Sequence, residues 1–455
     1  MELHNSMLQE HGPLRYTLAS LGYGLPPAAT TAIAGVIFVA TLALIMIRPR
    51  QLNEALAALG GGIAMIIAGI VSPLQAGQTL LGDWNIFLFF LGMLALSALA
   101  ERAGFFDWLA ARAALLANGS TRRLYLNVFL LGALISAFLS NDATALILTP
   151  IVYTLVTRLR VSAMPFMFAC TFIADTASFL LPVSNPLNII VLSHFNLGLL
   201  QFLRLLLLPS LLVIGMNIGA FFFLFRRQVA GTFEVKRLGT PASAIRHQRY
   251  FRYVTIVLGC VAVAYVVVSL VQQPLSLVAI GGAALLLIGA LHWKQVQWKA
   301  LGREISWSIF GFIAGMFIVV QGIENIGLTQ RFAQLLTGVA GSNTLSATLV
   351  GTAGAAIGTN LINNLPMALV LVSTIGALSG VSSSVRLALI ATTMFGCDLG
   401  PNLTTVGSLA TVLWLLLLRR RGMDVSSLDY FKLGIIVTPL MLLVGALAIW
   451  LMIQL

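Results

Sequence analysis

The fold class this sequence predicts is an all-α integral membrane protein made of two inverted-topology repeats. Three observations predict it. The chain of 455 residues is 59% hydrophobic and only 9% charged, with a mean hydropathy of +0.98, whereas a soluble domain carries about a quarter charged residues. Scarce polar residues recur at one constant offset of 223 residues. Positive charge gathers in short links between apolar runs, where it reports topology.

Runs of about twenty apolar residues can each cross a hydrocarbon core of about 30 Å. They mark simple spans at 28–47, 55–71, 84–101, 199–225, 253–271, 275–291, 307–323 and 431–453. Four further apolar stretches are interrupted by polar residues. We read 124–158 and 345–380 as re-entrant helical hairpins, and 163–195 and 387–418 as broken helices. The sum is about ten spanning helices with two hairpins. The chain then divides into an N-terminal tail 1–27, a first repeat 28–225, a basic linker 226–252 and a second repeat 253–455.

The duplication rests on residues that are rare here. At a spacing of 223, Trp84 falls on Trp307, Gly92-Met93 on Gly315-Met316, Glu101 on Glu324, Asn141 on Asn364 and Asp175 on Asp398. The linker carries seven basic residues against the single acid Glu234, which assigns it to the cytoplasm. The inside links then hold 22 of the 26 Lys and Arg, leaving Arg15, Arg204, Arg331 and Arg386 outside. Both termini fall outside, and an odd number of spans per repeat inverts the second half. Segments 105–117 and 328–340 are amphipathic and suit the interfaces. The net charge of +12 is spread through these links, so nucleic acid is not the expected partner; the lipid bilayer is.

Polar groups within spans are costly and mark function. The hairpins carry Ser140-Asn141-Asp142 with Thr144, and Asn360 with Asn363-Asn364 and Pro366. Helix breaks there free N–H groups that favour an oxygen-rich or anionic ligand. The broken helices carry Asp175-Thr176-Ala177-Ser178, Ser184-Asn185-Pro186 and Asn188, and then Asp398, Asn402, Thr404, Thr405 and Ser408. Irregular backbone at membrane depth needs protein or a wet cavity to satisfy it, so four paired breaks point to one midplane site. Single Asn, Ser and Thr residues can instead serve helix contacts. Of fourteen acidic residues, Asp142, Asp175 and Asp398 alone fall inside broken segments; the alternative to function is an N-cap carboxylate. No Lys, Arg or His occurs in 124–157, 161–193, 345–385 or 387–418. A small neutral polyhydroxy species or a cation fits such a pocket best.

No phosphate-cradling loop is present, so the chain carries no ATP motor. No His, Cys and carboxylate cluster has metal-ligand spacing. We expect no cofactor, no catalytic residue and no enzyme. Cys170, Cys260 and Cys397 lack disulfide spacing. Cys397 could be a soft ligand, although a lone buried Cys is more often packing.

Several strings resemble the ArsB-type arsenite and antimonite efflux carriers of the ion transporter superfamily. They are Phe138-Leu139-Ser140-Asn141-Asp142, Phe172-Ile173-Ala174-Asp175-Thr176-Ala177-Ser178, Val183-Ser184-Asn185, Asn363-Asn364-Leu365-Pro366, and Gly396-Cys397-Asp398-Leu399-Gly400-Pro401-Asn402 continuing through Gly407-Ser408-Leu409-Ala410-Thr411. The resemblance implies export of arsenite or antimonite as the uncharged trihydroxide, driven by inward proton flow across the cell inner (plasma) membrane. It also implies an optional soluble ATPase subunit at the cytoplasmic face, and it opens Cys397 to arsenic ligation. Sodium-coupled dicarboxylate carriers of the superfamily bear Ser-Asn-Thr triplets in both hairpins; this chain has Ser140-Asn141-Asp142 and Asn363-Asn364-Leu365. Ser140 stands where the bacterial carriers are expected to have Ala, which leaves silicic acid within the substrate range.

The expected reading is therefore a secondary active transporter working by alternating access. Asn141, Asp142, Thr144, Ser184, Asn185, Asn363, Asn364, Asn402 and Ser408 would bind substrate, and Asp142, Asp175 and Asp398 would couple protons. A sodium/proton antiporter or sodium-coupled anion carrier is the first alternative. A channel or a membrane anchor for a soluble partner is the second.

Overall fold

The structure is a computed structural model that describes residues 26–47, 53–238, 240–296 and 298–455. Nearly all of the predicted 1–27 tail, Arg15 included, lies outside the described residues. Among the described residues the regular elements are helices, with one isolated bridge between Ser120 and Thr232.

The first half runs α1 (Pro27–Ile47), α2 (Glu54–Ile67), α3 (Pro73–Gly82), α4 (Trp84–Arg102), α5 (Phe105–Leu116) and α6 (Thr121–Phe138). After a break come α7 (Asn141–Ala143), a π-helical turn Thr144–Leu148 and α8 (Thr149–Arg158). Next are α9 (Ala163–Thr176), a 3-10 turn Pro182–Ser184, α10 (Pro186–Phe195) and α11 (Leu199–Leu224). The second half runs α12 (Gln248–Leu270), α13 (Leu275–His292), α14 (Trp298–Glu304), α15 (Ser308–Asn325), α16 (Leu328–Ala340) and α17 (Thr344–Ile362). It closes with α18 (Asn364–Gly376), α19 (Ser383–Leu399), a 3-10 turn Gly400–Leu403, α20 (Leu409–Arg420) and α21 (Ser427–Gln454). Helices α5 and α16 start at Phe105 and Leu328, α6 and α17 at Thr121 and Thr344, and α7 and α18 at Asn141 and Asn364. Each of these pairs is 223 residues apart.

Among the described residues eight helices are long and apolar enough to cross a membrane. On α12, Ile256 is 65% and Val263 64% exposed, a greasy surface that water would penalise and lipid does not. Segment 55–71 is not one span. Its helix α2 has 14 residues, a rise of about 21 Å, and the chain then turns through Gly69 at φ 69°. Helix α12 starts earlier than expected because His247 caps it, its ring accepting from the Tyr250 N–H at 3.1 Å. Arg249 and Arg252 therefore stand on a helix. The short helices α3 and α14 were not anticipated.

The described residues form two compact units, one within 1–81 and 311–328, the other spanning 82–310 and 329–455. In the first, a Cβ on Gly315 of α15 would overlap the backbone of Ala58 on α2, and Met65 joins Ile318, Val319 and Ile323 in a buried core. In the second, a Cβ on Gly92 of α4 would come 2.6 Å from that of Ala279 on α13. Small residues let helix backbones touch. The repeats thus exchange partners, α4 packing on a helix of the second half and α15 on a helix of the first. The candidate site residues all lie in the second unit.

Candidate functional site

The stretches after α6 and α17 start alike. Asn141 Oδ1 accepts from the Asp142 N–H at 3.0 Å, and Asn364 Oδ1 accepts from the Leu365 N–H at 2.9 Å. Ser140 Oγ accepts from the Ala143 N–H at 3.0 Å, the N-cap bond. Asn363 takes φ 73° and ψ 158°, a region left almost wholly to glycine. It is held by its Nδ2 donating to Val406 O at 3.3 Å, while the Asn364 N–H donates to Gly407 O at 3.1 Å.

The unwound backbone of both broken helices is satisfied by side chains. Ser178 Oγ donates to Asp175 O at 2.7 Å, and Asn188 Nδ2 to Ser178 O at 2.8 Å. Ser184 Oγ donates to Ala137 O and accepts from the Leu181 N–H, both at 3.0 Å. In the second half, Asn360 Nδ2 donates to Gly400 O at 2.8 Å and its Oδ1 accepts from Thr404 Oγ1 at 2.6 Å.

The breaks bring the two buried aspartates into a crossed arrangement. Asn185 Nδ2 of the first half donates to Asp398 Oδ1 of the second, with Asn188 beside the same carboxylate. Thr411 Oγ1 of the second half donates to Asp175 Oδ2 of the first at 3.5 Å, with Ser408 beside it. Positions 185 and 408 are repeat counterparts, as are 188 and 411, each pair 223 apart. Each aspartate is therefore met by the same two positions of the opposite repeat, and Asp398 by Ser178 as well. Asn141 Nδ2 adds a 3.4 Å bond to Asp175 Oδ1, which ties the first hairpin to the pair.

Several acceptors in this cluster are left open. Asp398 Oδ2, Asn188 Oδ1, Asn402 Oδ1 and Asn217 Oδ1 are buried and accept no hydrogen bond among the described residues. Asp142 is half-buried next to Asp175, and no described residue donates to its carboxylate. Among the described residues, no Lys, Arg or His side chain pairs with any of the three aspartates. Buried acceptors without donors cost stability unless a ligand or water serves them. The arrangement offers hydrogen-bond acceptors to a small donor and no counter-charge to an anion.

Asn141, Asp142, Asp175, Asn185, Asp398 and Ser408 come together around the crossed pair. Asn363 and Asn364 reach it through the backbone of Val406 and Gly407. Thr144 and Ser184 spend their hydroxyls on backbone carbonyls, Thr144 on Gly132 O and Ser140 O at 3.3 Å each. Asn402 Nδ2 donates to Thr176 Oγ1 at 2.9 Å, which Asn217 Nδ2 of α11 also meets. Cys397 is buried beside Asp398. Sequence reasoning missed Asn217 and gave Thr411 no role. The available clue to Asn217 was the single Asn in the apolar run 199–224.

A family model described as "Arsenical pump membrane protein", ArsB, matches residues 33–453. The chain belongs to that family. An arsenical pump membrane protein of Yersinia enterocolitica is 35% identical over 413 residues, covering 89% of this chain and 95% of that protein. One of Escherichia coli strain K12 is 33% identical with the same coverage. A putative member from Bacillus subtilis is 27% identical over 429 residues, 89% of this chain and 96% of that one. Two solved structures share the fold. The YdaH transporter of Alcanivorax borkumensis superposes with a TM-score of 0.57 at 14% identity, covering 93% of this chain and 98% of that one. MtrF of Neisseria gonorrhoeae, described within a class of antimetabolite efflux pumps, gives 0.54 at 9% identity, covering 96% of each chain. The chain is thus a multi-pass membrane transporter of the ArsB family.

Proposed function

We propose that the chain exports trivalent arsenic and antimony as the neutral trihydroxide in exchange for protons. The observation that carries this reading is the crossed aspartate pair, which faces open acceptor oxygens and no cationic side chain. A trihydroxide donates three hydrogen bonds and brings no charge. Asp398 Oδ2, Asn188 Oδ1 and Asn402 Oδ1 are three acceptors without donors, so its hydroxyls replace what water would otherwise supply. The family's arsenical relatives support the same solute.

Two carboxylates that sense one another titrate as a pair. Taking up a proton turns one acceptor oxygen into a donor and so loosens the hold on the solute's hydroxyls. Losing it on the other side restores the acceptor. Alternating the two loads couples solute export to proton entry. Asp142, beside the pair and without a donor, is the group through which protons reach Asp175. Exposure alternates between sides as the hairpins and broken helices move as one body. The protein lies in the cell inner membrane with linker 226–252 in the cytoplasm, both termini outside, and the cytoplasmic face open to a soluble ATPase subunit.

Arsenite uptake into everted vesicles under an imposed proton gradient tests this. Uphill uptake that collapses with a protonophore and ignores sodium is expected. Uptake that requires sodium would move the chain to a sodium-coupled mechanism, and no uptake at all would overturn the solute.

A further inference from the structure

The sequence singled out the breaks but not the space at their far end. A cavity of about 290 Å³ lies where the C-terminal ends of α10 and α12 meet the starts of α4 and α13. Its polar lining is Asn85, Ser193, Asn196, Ser269, Gln272 and Gln273. Not one of these groups carries charge. The volume far exceeds the roughly 10–15 Å³ that admits a single water. Two left-handed turns, at Asn196 with φ 51° and Gln272 with φ 55°, shape the rim. The buried Asn85 Oδ1 accepts no hydrogen bond among the described residues.

Helix α10 links this cavity to the aspartates. Asn185 and Asn188 at its start touch Asp398, while Ile189, Leu192, Ser193 and Asn196 line the cavity. The spacing of three, four, seven, eight and eleven residues from Asn185 keeps them on one helix face. A second, smaller space of about 30 Å³ is bounded by Phe138, Leu181, Val183, Tyr265, Ser269 and Leu275. It shares Ser269 and Leu275 with the larger cavity. Its other walls are Phe138 at the end of α6, residues 181–183, Leu199 of α11, and Ala262 and Val266 of α12. The wall is apolar save for Ser269 and the Tyr265 hydroxyl, which is buried with no hydrogen bond among the described residues. The basic linker leads into the start of α12 and the cavity lies at its other end, 23 residues away, a rise of about 35 Å.

We propose that the larger cavity is an external vestibule for small uncharged polyhydroxy solutes, joined to the aspartate pair through the apolar neck at Ser269. Its amides and hydroxyls replace the hydration of a neutral triol. The neck refuses ions, which would have to shed their water against Phe138, Leu181 and Val183. The solute class rests on the export reading; the water-filled route does not.

Two measurements test it, both in a Cys260→Ser background, since Cys260 is the exposed cysteine and Cys170 and Cys397 are buried. Single variants Ser193→Cys and Gln273→Cys in intact cells are expected to react with a membrane-impermeant maleimide added outside, and to be protected in everted vesicles. Ser269→Trp, which fills the neck, is expected to slow arsenite efflux at least tenfold at unchanged expression. Leu270→Trp, on the neighbouring lipid-exposed position, is expected to leave efflux as it was. Failure of both cysteines to label from outside overturns the vestibule, and so does Ser269→Trp at full efflux rate. Cysteines that label from outside in a protein that moves no arsenite keep the vestibule and sink the export reading instead.

Discussion

Asn185 hydrogen-bonds Asp398 across a gap of 213 residues. The counterpart bond, from Thr411 to Asp175, spans 236. Each repeat supplies the carboxylate that the other repeat holds, so neither half owns a complete site. Four expectations follow from this arrangement and from helix packing elsewhere in the fold.

Truncating Asn185 removes the donor to Asp398 Oδ1 and leaves the carboxylate to Ser178 and Asn188 beside it. Bonds to charged groups contribute about 1.5–3 kcal/mol, so Asn185→Ala should lower initial arsenite uptake by roughly tenfold or more at normal expression. Exchanging counterparts, with Asn185→Ser and Ser408→Asn together, should recover part of that loss, because residues sharing one network couple by about 0.5–3 kcal/mol. Independent effects in the double-mutant cycle would mean the two sides do not communicate.

If export is exchanged for protons as proposed, Asp175 and Asp398 contribute charge rather than shape to the coupling. Asp175→Asn and Asp398→Asn each keep the size and remove the exchangeable proton. Proton-driven accumulation should vanish in both, while exchange of labelled solute without a gradient persists at a reduced rate. A variant that still accumulates arsenite uphill would remove that aspartate from the coupling scheme.

Gly92 and Gly315 sit at repeat-equivalent positions where backbones touch, against Ala279 and Ala58 respectively. Either glycine changed to leucine should force its helices apart. Overpacking typically costs about 1–3 kcal/mol, and backbone contact leaves little room for relief. Thermal unfolding in detergent, followed by size-exclusion fluorescence, should show a clear fall for both. Changing Gly35, which has open space around it, should not.

Backbone strain at Asn363 is measurable too. Residues in this region cost about 1–3 kcal/mol, so Asn363→Gly should relieve strain and lose only the 3.3 Å bond to Val406 O. Asn363→Val should unfold at a distinctly lower temperature. Equal stability of the two would show that the turn relaxes once the amide is gone.

Much of this was legible in the chain because membranes penalise polarity so heavily that each buried Asn or Asp stands out. The constant spacing of 223 paired Asn141 with Asn364, where α7 and α18 begin after their breaks, since rare residues carry repeat information that leucines cannot. The same reading overran α2, because an apolar window counts Gly69 as greasy and cannot see its left-handed turn. It also gave Thr144 a substrate role, although the hydroxyl closes back onto Gly132 and Ser140. Asn217 escaped notice because one Asn in a long span has no partner visible in one dimension; its neighbour is Thr176, 41 residues earlier. The crossing itself could not be read, for a repeat specifies which positions correspond and not which of them meet.

The crossed bonds also set a clock on biosynthesis. Asp175 enters the membrane long before Thr411 has been made, and 236 residues separate the two. At about 5–20 residues per second, the nascent chain holds a carboxylate with half its final shell for roughly 12–47 seconds. During that interval Asn141 alone can steady it, and the insertion machinery must tolerate the unfinished half. A ribosome that stalls within the linker leaves Asp175 without Thr411 and Ser408, an acid at membrane depth with part of its hydrogen bonding missing.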